Sequence, residues 1–333
     1  MNHRLPLFAS ALWSAGLITV LIAGLCGCSG EHGAAPAAGG AHKLSLAVIP
    51  KGTTHVFWKS VEAGAQQAAG ELGVEVIWKG PLNEGDRAAQ IQLVQQFVSQ
   101  KVDGIALAPL DHTALVGPVR DALAAKLPVV IFDSALDGNA GRDFASFIAT
   151  NNQQGGRLAG EALAKLLEGK GNVVLLRYVV GSASTAEREA GFLAVVAEHA
   201  EMKMLVDNRY AGATAGEAKT EALNMMDQIR GAQGVFCPNE SATNGMLLAL
   251  RQVGLAGKIR FVGFDASPPL VEALKSGEID ALVVQNPRRM GYLAVTTLVA
   301  AIKGDKVEAS IDTGAVLVTR ENMGQPEIAK LLQ

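Results

Sequence analysis

Residues 261–292 read FVGFDASPPLVEALKSGEIDALVVQNPRRMGY, in the order strand, helix, strand and the start of a new helix. Residues 261–264 are a short apolar run of the kind buried on both faces of a parallel sheet, and the run ends in a carboxylate, Asp265. Residues 281–284 are a second such run, closed by Gln285. Parallel strands joined by a helix bring their carboxyl ends to one edge, where open α/β sheets take ligands. Asn286 and Pro287 interrupt the chain directly after the second strand, which puts a hinge beside that edge. The stretch predicts a ligand cleft next to a crossing between domains.

The same alternation extends outward in both directions. Strands are predicted at 44–49, 74–78, 104–108, 128–132 and 146–149, with helices at 58–72 and 87–100 and after Asp111. A second cycle opens with a helix at 155–167 and a strand at 172–179. It continues through helix 185–199, strand 202–206, helix 216–229, strand 234–237 and helix 242–253 to the opening stretch. Such βαβ repetition implies an α/β fold, and 333 residues suit two doubly wound parallel-sheet domains better than one long sheet. The expected lobes are residues 44–150 plus 287–311 and residues 151–286 plus 312–333, joined by three crossings near 150–152, 286–287 and 312–314.

Composition narrows the function classes. Charged residues make up 18% of the chain and the net charge is -3, with no long basic run, so nothing favours nucleic acid as a partner. Before the folded part, Arg4 precedes an uncharged and mostly apolar run over residues 5–26, which reads as a secretory signal but is also long enough for an uncleaved anchor. Leu25-Cys26-Gly27-Cys28 resembles a bacterial lipobox, in which Cys28 is lipidated and becomes the first residue of the mature chain. Removal of residues 1–27 takes away Arg4 and no acid, so 28 basic residues remain against 32 acidic, a net -4. Residues 28–43 are small and of low complexity and read as a flexible tether to the membrane. Cys237 is then the one unlipidated cysteine, without a partner for a disulfide, and its place at the end of an apolar strand favours a buried thiol.

No GxxxxGK[ST] or GxGxxG loop follows a strand, so nucleotide cofactors lack their usual cradle, and no G-x-S-x-G elbow is present. The six histidines show no metal-ligand spacing. No cofactor or metal is called for. A set of polar and aromatic residues instead falls just past the strands: Lys51, His55, Phe57, Trp58, Asp133, Arg188, Asn239, Asp265 and Gln285. Carboxylates, amides and a guanidinium beside flat apolar faces suit a neutral polyhydroxyl ligand, whose hydroxyls need acceptors and donors while its CH groups need a ring to lie on. Each residue also has a plainer alternative. Phe57 and Trp58 are equally core residues at a helix start, Asp133, Asn239 and Asp265 are natural caps, and Arg188 is equally a solvated helix charge.

The order of these elements resembles the ribose-binding-protein-like family of periplasmic solute-binding proteins, which share a core with lactose-repressor-type regulators. The resemblance spans residues 44–318 and is carried by FWKSVEAGAQQAA, VDGIALAPLD, PVVIFDS, GGRLAGEAL, STAEREAGF, VFCPNE, VGFDAS and ALVVQNPRRMGYLA. It implies that Phe57 and Trp58 stack on a sugar, and that Asp133, Arg188, Asn239, Asp265 and Gln285 bind its hydroxyls. Three positions depart from the ribose-binding pattern: Ser134 stands for an arginine, His55 for an asparagine and Lys51 for a small polar residue. These departures put ribose itself in doubt and leave an acidic sugar or sugar phosphate open beside a neutral sugar or polyol. The expected function is that of a monomeric, lipid-anchored receptor outside the cytoplasm that closes over a sugar and delivers it to the inner-membrane permease of an ABC importer. A sensory receptor acting on a chemoreceptor or kinase, and an enzyme acting on a sugar, are the alternatives.

Overall fold

The computed structural model describes residues 42–332. The signal segment 1–27, Cys28 and tether residues 28–41 lie outside them. The chain first lays down β1 (Ser45–Ile49), α1 (Val56–Leu72), β2 (Glu75–Trp78), α2 (Arg87–Gln100), β3 (Gly104–Leu107), α3 (Val116–Ala124), β4 (Val129–Phe132) and β5 (Ser146–Ala149). It then builds α4 (Asn152–Leu166), β6 (Lys170–Arg177), α5 (Ala183–Glu198), β7 (Glu201–Tyr210), α6 (Ala215–Asn224), α7 (Met226–Arg230), β8 (Gly234–Phe236), α8 (Glu240–Gln252), β9 (Arg260–Phe264), α9 (Pro268–Ser276) and β10 (Ala281–Gln285). Last come α10 (Pro287–Lys303), β11 (Ser310–Asp312), β12 (Ala315–Thr319) and α11 (Pro326–Leu331).

Among the described residues twelve strands form two six-stranded sheets, β2-β1-β3-β4-β5-β11 and β7-β6-β8-β9-β10-β12. Ranked within its own sheet, each has the same order, 2-1-3-4-5-6. All pairings are parallel except β10 with β12, so the expected parallel sheets hold but for one antiparallel edge. The chain passes between the sheets three times, from β5 to α4, from β10 to α10 and from β11 to β12. Apolar layers cover both faces of both sheets. β3, β4 and β10 therefore show no alternation and are buried at every residue.

A very close helix crossing, made possible by glycine, occurs at matching places in the two lobes. A Cβ on Gly64 of α1 would lie 1.9 Å from the Arg288 carbonyl oxygen, and one on Gly291 of α10 would lie 1.9 Å from that of Val61. In the other lobe a Cβ on Gly156 of α4 would lie 1.9 Å from the Arg188 oxygen, and one on Gly191 of α5 would lie 2.1 Å from that of Gln153. No side chain fits at these four points.

Candidate ligand-binding cleft

The carboxyl ends of both sheets face a single cavity of about 320 Å³, counting the open space at its mouth. All nine residues singled out in the sequence line it, together with Glu84, Tyr178, Ser184, Thr185 and Glu240. Their elements explain why. Lys51 follows β1, His55 precedes α1, Phe57 and Trp58 lie in its first turn, and Asp133 follows β4. From the other lobe come Arg188 on α5, Asn239 after β8, Asp265 after β9 and Gln285 at the end of β10.

Asp133 and Asp265 both adopt left-handed backbone, with φ of 63° and 69°. Aspartate tolerates this conformation better than most residues because its short side chain can bond locally. The N–H of each still donates to the neighbouring strand, Asp133 to Ile148 at 2.9 Å and Asp265 to Val283 at 2.8 Å. The backbone therefore stays tied to the sheet while the chain turns over its edge into the cavity.

The cations are already engaged. Lys51 Nζ lies 3.3 Å from Asp133 Oδ2 and donates to Ser182 Oγ at 3.2 Å and Ser184 Oγ at 3.0 Å. An ammonium has three donors, and all three meet protein. His55 Nδ1 lies 2.8 Å from Glu84 Oε1. Arg188 is buried, with Nε donating to Asn152 Oδ1 at 2.8 Å, Nη1 to the Pro238 carbonyl at 3.0 Å and its guanidinium 3.9 Å from the centre of the Phe264 ring. Two of its five N–H groups are thus committed, which leaves donors for a ligand. Burial lowers the Arg188 pKa, against the charges of Asp265 and Asp133. Burial likewise raises Asp265, against Arg188 and the bonds from Gln285 and the Glu240 N–H, and it raises Glu240. Three cations meet four carboxylates, Glu84, Asp133, Glu240 and Asp265, so the cavity holds no surplus of positive charge.

Phe57 and Trp58 pack edge to face with ring centroids 5.0 Å apart, and Trp58 meets Phe132 in the same manner at 6.3 Å. Both belong to the core and line the cavity, so packing in the core does not keep this pair from the cavity wall. Asn239 combines roles as well, capping α8 through Oδ1 to the Ala242 N–H at 3.2 Å while lining the cavity. Gln285 connects site to hinge. Its Nε2 donates to Asp265 Oδ1 at 2.6 Å, and its Oε1 accepts from the Thr150 hydroxyl at 2.8 Å. Thr150 also meets Thr313 Oγ1 at 3.4 Å, so one hydroxyl touches all three crossings.

The lobes meet over the cavity. Glu240 accepts from the N–H groups of Val56 at 3.4 Å and Phe57 at 3.1 Å, Tyr178 donates to Glu84 at 3.1 Å, and the Ser184 N–H donates to Ser134 Oγ at 3.1 Å. Ser134, at the position where the ribose-binding pattern has arginine, therefore contributes to this seam. Among the described residues no group of His, Cys, Asp and Glu is placed to hold a metal ion. Cys237 is buried, and burial raises its thiol pKa well above the usual range.

The sequence profile of the periplasmic binding protein domain matches residues 46–306. The chain belongs to that family. Among relatives of this periplasmic binding protein is a ribose import binding protein of Salmonella typhimurium, 30% identical over 284 residues, covering 84% of this chain and 92% of the relative. A D-allose-binding periplasmic protein of Escherichia coli is 30% identical over 267 residues, covering 78% and 85%. Among solved structures, a solute-binding protein of Agrobacterium radiobacter in complex with D-arabinose superposes with a TM-score of 0.84 at 35% identity, covering 88% of this chain and 100% of that one. One from Agrobacterium vitis with bound D-fucose has a TM-score of 0.84 at 34% identity, covering 87% and 100%.

Five lining residues of this binding protein escape a reading from sequence. Glu84 sits in GPLNEGD, which reads as a surface turn, although it follows β2 at the same sheet edge as the others. Tyr178 falls inside the predicted strand 172–179, whereas β6 ends at Arg177 and frees it. Ser184, Thr185 and Glu240 open helices, where caps and first-turn residues are expected. The rule that found Asp265, a polar residue just past a strand, would have found Glu84 and Glu240.

Proposed function

We propose that the protein is the solute-binding component of an ABC importer and that it closes over one neutral monosaccharide or polyol, with all nine singled-out residues serving that ligand directly or by shaping its wall. The observation that carries this is the cavity between the lobes, which joins aromatic faces from one lobe to a partly uncommitted guanidinium and carboxylates from the other. The cavity is small and walled by side chains of both lobes, which suits one sugar ring rather than a chain of them. The absence of surplus positive charge argues against a uronic acid or sugar phosphate, since an added anion would meet four carboxylates. The names of the relatives support ribose-like, allose-like and arabinose-like sugars as the first to try.

In this reading the lobes are residues 44–150 plus 287–311 and residues 151–286 plus 312–333, and closure between them is what the permease recognises. A bound sugar favours the closed state because it contacts both lobes at once. The protein acts as a monomer outside the cytoplasm, held to the membrane by a lipid on Cys28, and it binds its ligand without altering it. Calorimetry against pentoses, hexoses, polyols and uronic acids tests the site. Binding of a neutral sugar that is recovered unchanged is expected, and silence from the whole panel overturns the reading. Mass spectrometry of the mature protein tests the anchor, where an unmodified Cys28 would refute it.

A further inference from the structure

We infer that Glu84 is a positioning residue for the ligand: its carboxylate, buried in the cavity wall, orients His55 and Trp58 of one lobe and is the point onto which Tyr178 of the other lobe closes. The consequence for affinity rests on the sugar-binding reading above; the geometry does not. Glu84 Oε1 lies 2.8 Å from Trp58 Nε1 and 2.8 Å from His55 Nδ1, and Oε2 accepts from the Tyr178 hydroxyl at 3.1 Å. One 8%-exposed carboxylate thus satisfies three donors, two from the start of α1 and one from just past β6. Trp58 has no freedom to turn its ring without abandoning that bond, and an indole N–H can only donate. His55 sits at the N-cap position of α1 yet makes no capping bond, because its ring is turned to Glu84.

The pairing fixes what His55 can offer. Acidic groups facing it are Glu84, Glu240 and Asp265, while Lys51 and Arg188 line the same cavity. Burial pulls the imidazole pKa down, but the Glu84 bond and charge, with Glu240 and Asp265, outweigh it and raise the pKa from 6.5 to about 9. Burial pushes Glu84 up, and His55, Lys51 and Trp58 outweigh it to bring Glu84 to about 2. At neutral pH both ring nitrogens therefore carry protons. Nδ1 is spent on Glu84, and Nε2, with no partner among the described residues, is a donor that selects a ligand oxygen able to accept. The pair's stabilisation from the histidine side is fully present below pH 6.5 and is lost as pH rises through about 9. From the carboxylate side it is present above 4.5 and lost as pH falls through about 2. These are two views of one interaction, at full strength between about 4.5 and 6.5.

Histidine titration by NMR in the sugar-free protein tests this without any ligand, with His55→Asn identifying the resonance. The wild-type midpoint is expected near 9, and Glu84→Gln is expected to lower it by about two pH units, because burial then acts with less opposition. An unchanged midpoint overturns the inference. Should the glutamine variant fail to fold, Glu84→Asp keeps the charge but withdraws it by one methylene, so a smaller fall of the midpoint is expected and an unchanged one overturns the inference. With a sugar that binds, Glu84→Gln is expected to raise Kd on the order of tenfold at pH 6 and further at pH 8, where the wild type stays flat. Tyr178→Phe should raise Kd several-fold with the pH profile unmoved. Equal affinity and equal pH profile in wild type and Glu84→Gln overturn the positioning role. If the wild type binds no sugar at all, the sugar reading fails while the NMR titration still decides Glu84.

Discussion

Asp133 and Asp265 hold equivalent places in the two lobes, each just past the fourth strand of a sheet ordered 2-1-3-4-5-6, each left-handed, and each tied by its N–H to the fifth strand. Their partners differ. Asp133 faces Lys51, whose donors are all consumed by Asp133 and by two serines of the opposite lobe. Asp265 is held by Gln285 and the Glu240 N–H, with Arg188 providing the nearby positive charge. The glycine crossings repeat as well. Gly64 and Gly291 in one lobe match Gly191 and Gly156 in the other, so Val61 and Arg188, each three residues before the glycine of its helix, are equivalents. One is core and the other is the site's guanidinium. The backbone plan is repeated while the side chains at matching points differ: one lobe lines the cavity with aromatic rings and the Lys51–Asp133 pair, the other with the Arg188 guanidinium and the Gln285–Asp265 pair. A scaffold of this kind can change its ligand at a few edge positions without disturbing the packing that holds the edge in place.

That comparison can be broken most forcefully at the glycines. Gly156→Ala and Gly291→Ala are each expected to destabilise the protein by about 2–3 kcal/mol in denaturant unfolding, because the new methyl meets a carbonyl oxygen at 1.9 Å. Gly156→Ala should also weaken sugar binding the more of the two, since the displaced carbonyl belongs to Arg188. Equal binding in both variants would mean that the crossings do not position the site. Next in size, Arg188→Ala and Asp265→Ala should each weaken binding by about 1–3 kcal/mol in calorimetry through polar groups left unpaired. Unchanged affinity in both would remove these two residues from the site. Lys51→Met should have the smallest effect, a loss of about 1 kcal/mol spread evenly over all sugars that bind, because its donors reach protein and not the cavity. A changed order of preference among sugars would show that Lys51 contacts the ligand after all.

Much of the fold was legible because buried parallel strands are short apolar runs and the helices between them carry their own stop signals. The predicted helix 87–100 matches α2 in full, and strand 146–149 matches β5. Helix 216–229 in fact breaks after Asn224 into α6 and α7, and strand 202–206 is the first half of the longer β7. β7 is the edge of its sheet and largely exposed, so its outer half has no apolar signature to read. β12 is antiparallel, a direction that composition does not encode.

The site divides along a similar line. That a polar residue past a strand end faces a ligand edge follows from chain direction alone, which is why Lys51, Asp133, Asn239, Asp265 and Gln285 reach one cavity, whereas Arg188 reaches it from the second turn of α5. The sequence by itself determined the α/β class, the crossing at Asn286-Pro287, the aromatic pair and the carboxylates at the sheet edges, because periodicity and turn chemistry are local. Only the tertiary structure decided how the charges pair. Lys51 meets serines more than 130 positions away, Tyr178 meets Glu84 across 94, and Arg188 rests on a ring 76 residues further on. No local pattern records which distant groups satisfy a buried cation, and that pairing decides whether Lys51 and His55 serve the ligand or the lobes.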